Sequence, residues 1–274
     1  AAAIAAEGYY RSSGKLCVTN VTTGPGGTNA LTGVLGQWCD SIPALYIWGQ
    51  VKQSTTICAC PELNLRQLGD QEVDIVDIVK PITKMAVMVT DPLDIKYYLD
   101  KAVFLALNGR PGPVWLDVPL DIQGAIVDEE KLREFSSEEI EKEAPLLKEE
   151  CVELLLQKIQ AAKSPVVYVG NGVRLAGRVE QFLSIVEKLN VPVVTAISGS
   201  DIIWHDHPLC FGKPGICGDR IGNIMVQNSD LLIVLGTRLS IRQISYAYDL
   251  LAPKAYKVMV DIDENELKKP TLSI

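Results

Sequence analysis

The sequence predicts an α/β protein built as two doubly wound units with mainly parallel sheets. Three observations carry this expectation. Short apolar runs of strand length alternate with stretches of helical spacing along nearly the whole chain. Runs such as 44–48 and 231–235 are apolar on both faces, which suits a parallel sheet covered by helices on both sides. An acidic stretch, poor in large apolar residues, interrupts the alternation at 121–150. The expected organisation is a first domain over 1–120, an acidic surface linker over 121–150 with room for one exposed helix, and a second domain over 151–274.

The elements follow in order. Residues 1–11 are rich in Ala and form a helix that ends near Gly14. A strand occupies 16–21. Gly24-Pro25-Gly26-Gly27 then makes a turn that opens a helix running to about Trp38. Further strands fall at 44–48 and 85–89. Asp91 caps a helix whose first turn takes Pro92. Arg110-Pro111-Gly112 breaks the chain before a strand at 114–118. In the second half a helix precedes Ser164-Pro165, and the strand 166–169 runs into Gly170-Asn171-Gly172. A helix to about Leu189 and strands at 191–196, 231–235 and 257–262 complete the alternation. No short repeat is visible, so a solenoid is excluded.

Composition narrows the function classes. The 274 residues are 47% hydrophobic and 22% charged, as in a globular protein. The net charge of −8 argues against a nucleic-acid partner, which needs concentrated Lys and Arg. No apolar run approaches the roughly 20 residues of a membrane span, so no membrane partner is expected. The apolar start, 1–6, lacks the basic flank of a signal peptide, and a cytoplasmic location is expected. Seven cysteines, an odd number, fit reduced thiols better than a disulfide framework. Cys58 and Cys60 have no second Cys/His pair to complete a zinc set, and His205 and His207 lack a further ligand, so no metal site is expected in this chain. Trp38, Trp48, Trp115 and Trp204 are expected to fill core, and the acidic run near Glu138 to be a solvated face.

Three glycine-rich turns follow strands: Thr23-Gly24-Pro25-Gly26-Gly27-Thr28-Asn29, Val169-Gly170-Asn171-Gly172 and Gly236-Thr237-Arg238. In such sheets ligands bind beyond the carboxyl ends of the strands, where glycine lets backbone N–H groups approach. Each turn alone reads more readily as a tight turn. A strict G-x-G-x-x-G is absent, since the third glycine position is Leu175, and an ordinary NAD dehydrogenase is therefore disfavoured.

Taken together, the motifs resemble a known family. The Ala-rich start through Glu7-Gly8-Tyr9-Tyr10-Arg11, Thr23-Gly24-Pro25-Gly26 with Thr28-Asn29, Asp40-Ser41-Ile42-Pro43, Gly49-Gln50-Val51, Asp70-Gln71-Glu72-Val73-Asp74-Ile75 and Gly109-Arg110-Pro111-Gly112-Pro113-Val114 are similar to the pyrimidine-binding domain of acetolactate synthases, which are thiamine-diphosphate enzymes. Ser229-Asp230-Leu231-Leu232, Gly236-Thr237-Arg238-Leu239 and Val260-Asp261-Ile262-Asp263 resemble that family's Rossmann-like central domain. The match spans nearly the whole chain in order. It implies a thiamine-diphosphate-dependent 2-keto acid decarboxylase or carboligase. Thiamine diphosphate and Mg²⁺ would serve the full enzyme, with FAD as a further candidate, and the site would be shared in a homodimer or homotetramer. The family's glutamate just upstream of the Ala-rich helix, and the G-D-G motif of its third domain, are not among these residues. The chain is therefore expected to be a fragment, inactive by itself.

The resemblance also assigns site residues. Gly24, Pro25, Gly26 and Asn29 match the loop beside the cofactor's pyrimidine ring and the substrate pocket; the competing role for Asn29 is a helix-terminus hydrogen bond. Gln71 matches a polar residue facing reaction intermediates. Its neighbour Asp70 replaces the family's aromatic and should repel a carboxylate substrate. Arg242 matches the residue that binds the acceptor's carboxylate, a task suited to a planar guanidinium, with an ion pair as the competing role. Ser240 and Ile241 replace two acidic residues, and Gly215-Ile216-Cys217-Gly218 stands where Met and His are usual, which alters any flavin pocket. Gly170, Gly172, Gly236, Arg238, Asp261 and Asp263 form the expected dinucleotide crevice. Arg238 and Arg242, four apart, would share a face if a helix begins there. The rival expectation is a non-catalytic nucleotide-binding or regulatory module built on the central domain.

Overall fold

The computed structural model describes residues 1–140 and 147–272. The chain divides into two compact units, Ala1–Glu143 and Ala144–Ile274. Each holds, among the described residues, a four-stranded sheet in which every pairing is parallel. The fold class is the one expected.

The first unit runs α1 (Ala2–Ser13), β1 (Cys17–Thr22), α2 (Pro25–Thr28), α3 (Leu31–Asp40), β2 (Ala44–Gln50), α4 (Ile75–Val79), β3 (Met85–Met88), α5 (Ile95–Leu107), β4 (Pro113–Pro119) and α6 (Leu120–Gln123). Its sheet order is β1-β2-β4-β3. All seven residues of the interior strand β4 are buried, whereas the edge strand β1 has only Thr19 buried. That contrast is why the interior strands read as unbroken apolar runs. One sheet face packs Ala44, Tyr46, Trp48 and Trp115 against Ala3, Val34, Ile75 and Val79 from α1, α3 and α4. The other packs Leu45, Val114, Leu116 and Val118 against Ala102 and Ala106 of α5. Gln37, fully buried, ties three elements: its Nε2 donates to the Ala3 carbonyl at 2.8 Å, and Tyr46 Oη donates to its Oε1 at 2.8 Å. Gly14 ends α1 with φ 69°, in the left-handed region that glycine tolerates.

The second unit runs α7 (Glu149–Ala161), β5 (Pro165–Val169), α8 (Gly172–Leu175), α9 (Val179–Leu189), β6 (Val193–Thr195), α10 (Arg220–Asn228), β7 (Leu231–Leu235), α11 (Ile241–Ile244), β8 (Tyr256–Val260) and α12 (Glu264–Lys268). Its order, β6-β5-β7-β8, sends the chain first to one side of β5 and then to the other. The loops after β5 and β7 therefore leave the sheet at a topological switch point.

Several expectations change. The helix after Gly24 is two helices, because Gly26 and Gly27 make a short, separate first turn. The helix after Gly172 is also divided, at Gly177 with φ 65°. Helices α4 and α10 carried no clear signal; α4 is five residues long, and Gly222 and two asparagines dilute α10. Trp48 and Trp115 fill core, but Trp38 and Trp204 do not: they are 39% and 74% exposed, Trp38 at the outer end of α3 and Trp204 in a loop.

The acidic stretch also behaves differently from a free linker. No α-helix lies between Gly124 and Ile140, and the part beyond Ile140 begins with residues outside those described. Instead 133–139 docks on α5. The Arg133 guanidinium lies 3.7 Å from the centre of the Tyr97 ring, Phe135 packs against Phe104 and Tyr97 at 5.6 and 5.8 Å, and Tyr97 Oη donates to Glu139 Oε2 at 2.8 Å. Glu139 is held below the usual carboxylate range, first by that hydrogen bond. The acids advertise solvent, but the aromatic and cationic residues among them decide the packing. Phe135→Ala is expected to destabilise the first unit by about 1–2 kcal/mol, less than a core Phe because the ring is half-buried. Urea denaturation followed by tryptophan fluorescence measures it; an unchanged midpoint would mean the segment contributes nothing.

Candidate functional site

The glycine loop after β1 is shaped by what presses on it. Gly24 has φ 61° and ψ −121°, and a Cβ there would sit 2.2 Å from the backbone oxygen of Gln71. A Cβ on Gly26 would meet Thr22 Cγ2 at 2.8 Å, and one on Gly27 would enter the buried ring of Trp48 at 1.3 Å. Glycine is required at Gly24 for conformation and close approach together, and at Gly27 by packing. The contact brings together two expected site residues 47 positions apart. Gln71 itself has φ 55°, uncommon for a residue with a side chain. Its side chain is exposed, as are Pro25 and Asn29; Gly26 is half-buried and Gly24 buried. The Asn29 side chain makes no hydrogen bond among the described residues, so the helix-terminus role is not what occupies it. Asp70 is exposed immediately beside Gln71.

Beneath this surface lies a buried polar group at the carboxyl ends of β2 and β4. Gln50 Oε1 accepts from Thr23 Oγ1 at 2.8 Å and from the Val51 N–H at 3.0 Å; its Nε2 donates to the Val73 carbonyl at 3.3 Å and to Asp117 Oδ2 at 3.4 Å. Glu72 is 4% exposed and accepts through Oε1 from the Ile57 and Leu68 N–H groups at 3.1 and 3.0 Å, pinning the loop between β2 and α4. Asp117 is fully buried, with Oδ1 unpartnered among the described residues. Burial pushes its carboxyl up to about 7, with Asp74 and Glu72 adding repulsion.

In the second unit the turns after β5 and β7 press on each other. A Cβ on Gly172 would meet Gly236 Cα at 2.6 Å, and one on Gly170 would meet Thr237 Cβ at 2.4 Å. The N–H groups of Gly170, Gly172 and Gly236 donate to the Leu235, Gly236 and Val260 carbonyls at 2.9, 2.9 and 3.0 Å. These glycines are therefore engaged in joining loop to loop. Arg238 lies 3.6 Å from Glu266 of α12, and Lys269 donates to the Arg238 carbonyl. Asp261 accepts from the Asp263 N–H at 2.9 Å, and Asp263 caps α12 through the Asn265 N–H at 3.0 Å. Arg238 and Arg242 do not share a helix face. Leu239 turns the chain at φ 45°, and α11 starts only after Ser240, whose side chain forms a capping box with Gln243. Arg242 is exposed, and its guanidinium has no partner among the described residues. Its carbonyl accepts from the Ile216 N–H at 2.9 Å, which joins 215–217 to α11. All seven cysteines are free thiols. Among the described residues no group of three or more His, Cys, Asp or Glu side chains is placed to hold a metal, and no helix is long and apolar enough to cross a membrane.

Comparison with known proteins places the chain. Residues 1–78 match the model of the thiamine pyrophosphate enzyme N-terminal TPP binding domain, and 152–273 match that of the thiamine pyrophosphate enzyme central domain. The chain belongs to the thiamine pyrophosphate enzymes. It is 35% identical over 264 residues to the acetolactate synthase large subunit of Lactococcus lactis subsp. lactis (strain IL1403), covering 96% of this chain and 44% of that protein. It is 36% identical over 265 residues to the acetolactate synthase isozyme 1 large subunit of Escherichia coli (strain K12), with coverage of 96% and 44%. The chain thus spans less than half the length of these relatives. An X-ray structure of a Mycobacterium smegmatis enzyme, provisionally described as thiamin diphosphate-dependent, superposes with a TM-score of 0.77 over 97% of this chain and 49% of that one, at 22% identity, and shares the fold.

In this chain the structure joins Gly24, Pro25, Gly26, Asn29 and Gln71 at one sheet edge, and Gly170, Gly172 and Gly236 at another. Sequence reasoning missed Gln50, Glu72 and Asp117. A signal was available for two of them: Gln50 closes the apolar run of β2 and Asp117 interrupts that of β4, where burial without a partner would be costly, whereas Glu72 follows a polar stretch and carried none. The raised Asp117 carboxyl has a defined linkage. Because its folded value lies above the unfolded one, ionisation opposes folding; the penalty is absent below about pH 4 and complete above about pH 7, on the order of 4 kcal/mol. Asp117→Asn is expected to flatten the fall in melting temperature between these pH values relative to wild type. Parallel slopes for the two proteins would show that Asp117 titrates normally.

Proposed function

We propose that these residues form the pyrimidine-side and central parts of a thiamine-diphosphate-dependent 2-keto acid decarboxylase or carboligase of the acetolactate synthase kind, acting as a homodimer or homotetramer in the cytoplasm. The observation that carries the reading is the Gly24–Gln71 contact, which gathers Pro25, Gly26, Asn29 and Gln71 on one open edge. The relatives' names agree with it. Bound thiamine diphosphate supplies the electron sink for releasing carbon dioxide from a 2-keto acid and passing the remaining fragment to an acceptor.

The chain's own residues have separate tasks. The Gly24-Pro25-Gly26 backbone, almost bare of side chains, offers a flat seat for an aromatic pyrimidine. The Asn29 and Gln71 amides, both exposed, supply hydrogen bonds beside it. Asp70 disfavours anionic substrates there. Arg242 holds an acceptor carboxylate, a role consistent with its exposed and unpartnered guanidinium. For FAD the fit is partial: Gly170 and Gly172 give shape but not free N–H donors, and the Thr237 hydroxyl is bonded to Gln243, which leaves the Arg238 cation for a phosphate. Asp261 and Asp263 bracket the turn beyond β8 on the same carboxyl edge. Mg²⁺ belongs with the cofactor's diphosphate, and no cluster of the described residues gathers to hold it.

Calorimetry with thiamine diphosphate and Mg²⁺ on the natural full-length protein tests the reading. Gly24→Ala is expected to weaken binding at least about tenfold, since its Cβ displaces the Gln71 backbone. Absence of binding by the wild type defeats the proposal. For Arg242→Leu, turnover with keto-acid acceptors is expected to fall by about 10- to 100-fold, that of a lost charge-assisted contact, while aldehyde acceptors are unaffected. Equal rates with keto acids before and after the change would return Arg242 to a structural role.

A further inference from the structure

We propose that Gln50 is the positioning residue that sets the glycine loop against the Gln71 segment, so that one buried carboxamide fixes the cofactor side of the site. This rests on the functional reading above and adds a residue to it.

The geometry is unusual in its completeness. A carboxamide has two acceptor and two donor positions, and in Gln50 all four are used. The acceptor oxygen takes the Thr23 hydroxyl at 2.8 Å and the Val51 N–H at 3.0 Å. The nitrogen donates to the Val73 carbonyl at 3.3 Å and to Asp117 Oδ2 at 3.4 Å. Thr23 directly precedes Gly24, and Val73 lies two residues beyond Gln71. These bonds therefore grip both sides of the place where Gly24 touches the Gln71 backbone. Neither loop has another side-chain bond to the other among the described residues. Gln50 is only 4% exposed and its four polar positions are all taken by protein groups, so it acts through the loops rather than on a substrate. Because it is buried, its bonds are not replaced by water when broken.

The orientation of the carboxamide is also forced. Reversing it would aim N–H groups at the Val51 N–H and the oxygen at the Val73 carbonyl and Asp117. The charged and titratable groups around it are Asp117 on β4, Glu72 and Asp74 on the segment leading into α4, and Cys58, which donates to Asp74 Oδ2 at 3.4 Å. All of the ionisable side chains in this group are acidic or thiol, and none is a cation. An acid placed at position 50 would accordingly remain neutral to an elevated pH.

The test uses Gln50→Leu, Gln50→Glu and the milder Thr23→Val in the natural full-length protein. Amide exchange reports on 22–27 and 70–74, with α3 and α5 as internal references, and calorimetry reports thiamine diphosphate affinity. Gln50→Leu is expected to speed exchange in the two loops about tenfold or more, without a matching rise in α3 and α5, and to weaken the cofactor by about tenfold. Thr23→Val should shift 22–27 in the same direction by a smaller factor. Gln50→Glu should fall between wild type and Gln50→Leu near pH 5.5, where a neutral carboxyl keeps both accepted bonds and one of the two donated ones, and resemble Gln50→Leu near pH 8.5, roughly spanning its raised titration. A uniform rise over the whole unit, or a Glu variant indifferent to pH, reduces Gln50 to a general packing residue and overturns the proposal. Wild-type binding retained unchanged in all three variants overturns the role of Gln50 alone. A wild type that binds no thiamine diphosphate overturns the functional reading, and with it the cofactor half of this one.

Discussion

The backbone of Gly24 rests against the carbonyl of Gln71, and much of the first unit is arranged around that contact. It can exist only if residue 24 lacks a Cβ and takes φ 61°, and if residue 71 turns back at φ 55°. Both loops are then held from below. Thr23 and Val73 are bonded to Gln50, Gly27 sits on the ring of Trp48, and Glu72 collects the N–H groups of the long loop after β2. The aromatic stack of Tyr46 and Trp115, with centres 4.9 Å apart and planes 12° apart, continues the support into the sheet.

This support is polar where a core is ordinarily apolar. Two acids, Glu72 and Asp117, and one carboxamide lie inside the carboxyl edge of the sheet. Each acid has one buried oxygen without a partner among the described residues; the other oxygen of Glu72 accepts from two backbone N–H groups, whereas that of Asp117 has a single long contact, and burial holds the Asp117 proton to near neutrality. Conflict of this kind between local preference and fold tends to mark a working site rather than a stabilising one.

The second unit uses glycine differently. The Gly172–Gly236 approach closes the switch point of the sheet with backbone against backbone, and its N–H groups are already paired. What stays open there is charge: Arg242 without a partner among the described residues, and Arg238 loosely paired with Glu266. The same residue type thus shapes the proposed cofactor seat in one unit and a loop joint in the other, and the neighbours make the difference.

The sequence by itself determined the architecture. Interior strands are buried on both faces and must be apolar throughout, so β2, β4, β5 and β7 announced themselves, and Gly14, Asp91 and Arg110-Pro111-Gly112 punctuated them through local backbone chemistry. It also marked Gly24, Gln71 and Arg242, because motifs are local in sequence. It did not show that Gln50, Glu72 and Asp117 are buried, that Trp38 and Trp204 are exposed, that 133–139 docks on α5, or that Leu239 keeps Arg238 off the helix of Arg242. Those outcomes depend on which residues far apart in the chain meet. A polar side chain at a strand end reads the same whether water or a buried amide will face it, and only the tertiary structure supplies the partner.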